Sequence, residues 1–177
     1  MSACVWLRGT GTGARAMLDV ARSLRALTAR EGCALVVGER LDVAVLARAD
    51  GVHLPAQALA PDDARHILPS GMWLSTAVHD GTQIDRARGH VDVMVLSPFG
   101  AVPGKGRALG VGGFAALRAR AGSCRVIALG GVATPEDVRA ALAAGADGVA
   151  VRRALMDAAD PVGACAAFAE VLASHEA

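Results

Sequence analysis

The residues of this chain that could do chemistry recur at one kind of place, just after short apolar runs. Gly130-Gly131 follows the run Arg125 to Leu129. Adjacent glycines there let backbone N–H groups approach an anion with no side chain in the way. Arg152 and Arg153 follow Val149-Ala150-Val151 and read as an anion clamp or as solvated charges. Arg8 closes the run Cys4 to Arg8, and Lys105 lies in the loop Ser97 to Gly113. Each is a ligand cation or a surface charge. Glu39 could ligate a metal, or could simply pair with Arg40 or Arg48. Ser75 and Thr76 offer hydroxyls that could donate to a phosphate or satisfy buried backbone. His79 stands where a general acid or base could act, whereas His53, inside an apolar run, reads as a core histidine. Trp6 could stack on a heterocycle or plug a pocket. The glycine loop Gly9 to Gly13 lacks the Walker lysine and the full dinucleotide fingerprint.

Those places are the exits of strands. Arg125 to Arg153 reads as strand, glycine turn, helix, turn, strand. Thr134 supplies a hydroxyl N-cap, Pro135 suits the first helical position, and Glu136 and Asp137 face the positive end of the helix dipole. Gly145 suits the stop. The grammar repeats at Leu41 to Leu54, with Ala-Asp-Gly-Val as the turn, and in degenerate form at Val91 to Leu96. Strands start near residues 4, 33, 51, 73, 92, 125 and 148. Buried strands joined by helices pair in parallel. The expected fold is therefore α/β, a TIM-barrel-like parallel βα repeat of seven strands. An eight-stranded barrel needs one more unit, and the repeat reads as short at its N-terminus. Helices are also expected from Pro61, from Thr82 to Arg88, from Phe114 to Ala121 and from Pro161.

Composition narrows the function. A chain of 177 residues with 53% hydrophobic residues suits one domain, residues 1–177, whose strands are buried on both faces. The net charge of +1 and the scarcity of aromatics argue against nucleic acid. No apolar run reaches the length of a membrane span, and Met1 to Thr12 has no signal-peptide core. The four cysteines, Cys4, Cys33, Cys124 and Cys165, show no metal spacing and read as reduced, mostly buried thiols. A cytoplasmic location is expected.

From about Val5 to Phe168 the chain resembles the thiamine phosphate synthase/TenI family of α/β barrels. The residues that carry the resemblance are Val126 to Pro161, the segment ADGVHL at Ala49 to Leu54, and the spacing from Pro98 to Lys105. The resemblance implies a role in thiamine biosynthesis or salvage. Family members join an aminopyrimidine diphosphate to a thiazole phosphate with magnesium, whereas TenI relatives isomerise the thiazole. By position it implies Arg8 and Lys105 as catalytic cations, and Gly130, Gly131 and the backbone at Arg152 and Arg153 as a phosphate cradle. Trp6, Glu39, Ser75, Thr76 and His79 would line the pocket, with Glu39 as the magnesium ligand.

The departures from the family pattern are specific. Trp6-Leu7-Arg8-Gly9-Thr10 replaces Gln-x-Arg-x-Lys, and Gly38-Glu39-Arg40 replaces Asn-Asp-Arg. Ala58 holds the position of a second magnesium aspartate, and Pro98 that of the tautomerase histidine. The family's first βα unit has no counterpart here. Two readings stand: a synthase-like transferase, or a catalytically silent barrel that binds a phosphorylated ligand and serves a regulatory or partner-binding role. A barrel one unit short leaves apolar edges at its first and last strands, so a homodimer is expected.

Overall fold

The computed structural model describes residues 3–9 and 11–176, with the side chain of Glu176 excepted; Thr10 lies outside the described residues. The expected βα repeat is present. Seven strands run in chain order: β1 (Cys4–Leu7), β2 (Ala34–Gly38), β3 (Gly51–Leu54), β4 (Trp73–Val78), β5 (Val93–Leu96), β6 (Arg125–Leu129) and β7 (Gly148–Ala150). They keep that order in one sheet. The registers of β1–β2, β2–β3, β3–β4 and β6–β7 are parallel. The connecting helices are α1 (Ala14–Arg30), α2 (Leu41–Ala47), α3 (Pro61–Ile67), α4 (Gly81–Ala87), α5 (Gly110–Arg120) and α6 (Pro135–Ala143). The short α7 (Arg153–Met156) and the longer α8 (Pro161–Glu176) follow β7.

Two compact units are distinguished. The N-terminal unit comprises residues 3–77 with 89–93, and the C-terminal unit residues 78–88 with 94–176. In the N-terminal unit, Leu35, Val37, Val52, Leu54 and Leu74 project from alternate strand positions into a core with Met17 and Ala21 of α1 and Val43 and Ala44 of α2. Removing each such side chain from water stabilises the fold by roughly 1.5–3 kcal/mol. The C-terminal unit buries Met94, Leu96, Phe114, Val126, Ala128, Val138 and Ala141. Phe99 meets Phe114 edge-on, with centroids 5.4 Å apart.

One polar device appears three times. An aspartate just before a strand accepts the backbone N–H of the preceding strand and pairs with an arginine from the helix before that strand. Asp50 accepts from Leu35 at 2.7 Å and pairs with Arg25 at 2.8 Å. Asp92 accepts from Leu74 at 2.8 Å and pairs with Arg65. Asp147 accepts from Val126 at 2.8 Å and pairs with Arg118 at 3.2 Å. Each aspartate also returns its own N–H to the carbonyl of that same strand residue. The Ala-Asp-Gly repeat of the sequence is this clamp.

The element ends explain themselves locally. Thr134 and Asp137 form a reciprocal capping box at the start of α6, with Pro135 in its first turn. Helix α5 starts at Gly110, four residues before the expected Phe114, despite three glycines in its first turn. Leu109 N–H donates to Pro98 and Gly110 N–H to Phe99, and these tertiary bonds fix the turn that propensity opposes. The single turn of α7 was not expected, being too short to show a period. The cysteines require a correction. All four are free, but Cys4 and Cys165 are exposed and the other two only half-buried. Cys4 and Cys33 flank the first strand pair rather than fill the core behind it.

Candidate functional site

In the C-terminal unit the chemistry gathers at the exit of β6. Gly130 and Gly131 both hold positive φ, 89° and 72°, a conformation that glycine adopts without strain. The loop after β5 returns along this turn, with Phe99 N–H donating to Leu129 at 2.9 Å and Gly100 N–H to Gly130 at 2.8 Å. A Cβ on Gly131 would lie 2.3 Å from the Gly100 carbonyl carbon, and one on Gly100 would lie 2.8 Å from the Gly131 oxygen. The glycine pair is thus required first by the packing of the loop. A bulky residue at 131 would strike Gly100 before it obstructed an anion.

That loop carries Lys105. Its N–H donates to Val102 at 3.1 Å, and a Cγ of Val102 would lie 3.3 Å from a Cβ on Gly130. The loop of Lys105 therefore lies over the glycine turn, at the same end of the sheet. The Lys105 side chain is exposed and has no ion-pair partner among the described residues. Arg152 and Arg153, at the exit of β7, are likewise exposed and unpaired among the described residues. His79, past the end of β4, donates its Nδ1–H to the Ser97 carbonyl at 2.8 Å, which leaves Nε2 as the free nitrogen. Its backbone N–H is held by Gln83 at 2.8 Å.

In the N-terminal unit the register sets Trp6 beside Val36, Gly38 beside His53, and His53 beside Ser75. These residues share the face of the sheet turned away from the helices. Ser75 donates its hydroxyl to the Val52 carbonyl at 3.2 Å and accepts from His53 Nδ1 at 3.0 Å. The indole of Trp6 lies against the His53 ring, with centroids 4.1 Å apart and planes tilted by 55°. Arg8 sits over the Trp6 ring at 5.4 Å and has no carboxylate partner among the described residues. Burial, and then the positive charge of Arg8, depress the His53 pKa to about 4. His53 is therefore neutral at pH 7 and a member of this cluster, where the sequence suggested a core position. Trp6 Nε1 is buried without a hydrogen-bond partner.

Two pocket expectations meet a different geometry. Thr76 stands beside Leu54 on the helix-facing side, buried, and donates its hydroxyl to the Leu54 carbonyl at 3.2 Å. It serves the fold, and only Ser75 joins the cluster. Glu39 is exposed at the exit of β2 with φ 66°, while its N–H donates to His53 at 2.8 Å. Arg40, the partner considered for it, is instead paired with Asp42. Ala58 is packed against the core of its unit. Among the described residues no three acidic, histidine or cysteine side chains converge as a metal site requires. A lone Glu39 does not fit a resident magnesium ion held by protein carboxylates. Sequence reasoning missed Gly38 and Gly100, whose only signal is that they are small.

Comparison with known proteins follows the geometry. The family model described as thiamine monophosphate synthase matches residues 2–155. The chain belongs to the thiamine monophosphate synthase family. It is 36% identical over 176 residues to the thiamine-phosphate synthase of Methanoculleus marisnigri, covering 98% of this chain and 83% of the relative. It is 40% identical over 162 residues to that of Salinispora arenicola, covering 89% and 77%. Among solved structures, thiamine phosphate pyrophosphorylase from Pyrococcus furiosus superposes with a TM-score of 0.90 at 24% identity, over 99% of this chain and 85% of that one. At that identity the likeness bears on the fold, which is the TIM-barrel-like α/β class. A 3-hexulose-6-phosphate synthase superposes with a TM-score of 0.71 at 18% identity, over 96% and 86%. Within the family, the departures at Trp6 and Ala58 coincide with the indole cluster and with the lack of a carboxylate set.

Proposed function

We propose that this chain, a thiamine-biosynthesis family member, binds a phosphorylated thiazole or a similar phosphorylated heterocycle at the exits of β6 and β7. The observation that carries the reading is the Gly130-Gly131 turn, held open in the left-handed region and overlaid by the loop of Lys105. Its backbone, with that at Arg152-Arg153, cradles the phosphate, and the unpaired Lys105 ammonium neutralises it. In a transfer reaction the same ammonium would stabilise a departing phosphate or diphosphate oxygen, the role proposed also for Arg8 at the exit of β1. His79, with Nε2 free, is the proposed proton carrier beside the heterocycle.

Calorimetry with thiazole phosphate and the phosphate-free thiazole alcohol tests the reading. Wild type should bind the phosphate and not the alcohol, and Lys105→Ala should weaken the phosphate by about tenfold, the worth of one charge-assisted hydrogen bond. Equal binding of the two ligands, or an unchanged Lys105→Ala, would refute it. A second reading, a catalytically silent phosphate-binding barrel with a regulatory or partner-binding role, is supported by the missing carboxylate set. Following diphosphate release from aminopyrimidine diphosphate, thiazole phosphate and magnesium distinguishes the two.

A further inference from the structure

We propose that Trp6 is a steric gate that keeps a second, ring-bearing diphosphate out of the N-terminal unit and limits the chain to one phosphorylated heterocycle. The inference rests on the function proposed above and narrows its substrate class. Three observations carry it. First, the Trp6 and His53 rings are in direct contact, with centroids 4.1 Å apart. Aromatic pairs ordinarily sit about 4.5–7 Å apart, so no third ring enters between these two. Second, the indole occupies the space over Gly38, whose Cβ, were there one, would lie 3.1 Å from Trp6 Nε1. A planar ligand seeking the floor of β1 to β3 finds it covered by a fused bicycle. Third, Trp6 Nε1–H is buried with no acceptor, which costs about 1–3 kcal/mol. The ring is held there by its bulk and by Arg8 and His53 on its faces and edge, not by a hydrogen bond of its own. It fills a site without being satisfied by it.

The charges around the gate agree. Arg8 would attract a diphosphate, yet Glu39 is the lone carboxylate at the exit of β2, and no acidic cluster stands ready to carry the magnesium that a diphosphate brings. Attraction remains, while the room for the ring and the charge balance do not.

The test is calorimetry of thiazole phosphate and of aminopyrimidine diphosphate with magnesium, on wild type and on Trp6→Ala, Trp6→Gln and Trp6→Phe. Wild type and Trp6→Phe, which keeps a ring in place, should bind the diphosphate at least tenfold more weakly than Trp6→Ala or Trp6→Gln. Thiazole phosphate affinity should stay within about twofold in all four, by the same scale of one contact per factor of ten. The gate is overturned if wild type binds the diphosphate as tightly as Trp6→Ala. It is equally overturned if Trp6→Gln, with an unchanged circular dichroism spectrum and thermal midpoint, gains no affinity. Loss of thiazole phosphate binding in wild type would instead refute the proposed function, since the gate is read from the diphosphate titrations alone.

Discussion

At the scale of single residues, His53 has the most measurable consequence. Its folded pKa of about 4 lies below the ordinary value of 6.5, chiefly because it is buried and secondarily because Arg8 is near. The unfolded chain therefore binds a proton that the folded chain refuses between those two values. Stability is complete above about pH 6.5 and falls as the pH drops toward 4. Between pH 7.5 and 5 the loss should be on the order of 2 kcal/mol. Urea unfolding at the two pH values checks this, and His53→Asn should flatten the dependence across that window. A wild type equally stable at both would contradict the buried, neutral imidazole. Arg8→Ala should move the loss to lower stability only slightly less steeply, because burial and not charge is the larger cause.

At the scale of elements, the three aspartate clamps bind each odd-numbered strand from β3 onward to the strand before it. Asp50→Ala would leave the Leu35 N–H without its carboxylate and Arg25 without its partner, at a cost of about 2 kcal/mol. The exposed pair of Arg139 and Glu136 offers the contrast. Glu136→Ala should cost less than about 0.5 kcal/mol. Denaturant midpoints of the two variants give the comparison, and equal losses would mean the clamp is mere surface pairing. These elements also show what the sequence carries. The strands, the Thr134 cap and the Ala-Asp-Gly turns were legible because periodicity and capping are local. The partners of the clamps were not, because Arg25, Arg65 and Arg118 are ordinary helix arginines until the fold brings an aspartate to them. The candidate site divides the same way. Gly130-Gly131 and Lys105 could be read from type and spacing, whereas the glycine contact that joins their loops depends on backbone approach. Ser75 and Thr76 looked alike in sequence, and strand alternation sent them to opposite faces.

At the scale of the molecule, α1 leaves apolar surface uncovered. Val20, Leu24 and Leu27 recur at helical spacing along it, and Val20 and Leu27 are 47% and 46% exposed. Strand β1, first in the sheet order, adds Val5 at 39%. A second copy of the chain is the expected cover, in a two-fold dimer. Sedimentation should give twice the chain mass of 17.9 kDa at micromolar concentration. Val20→Glu combined with Leu27→Glu should return the monomer with an unchanged circular dichroism spectrum. A monomeric wild type would exclude this surface as an interface.

The loop that holds Lys105 has both feet nailed down. Its incoming side is tied by Phe99 and Gly100 to β6 and its glycine turn, and its outgoing side by Leu109 and Gly110 to Pro98 and Phe99. The span between is a short noose whose circumference is fixed. Closing so small a ring has already cost most of its chain entropy, so little freedom remains for Lys105 to lose when an anion arrives. The lysine waits on a leash of known length. Its effective concentration at the glycine turn is set by the noose and not by the flexibility of a free loop, and a longer loop with the same lysine would dilute it.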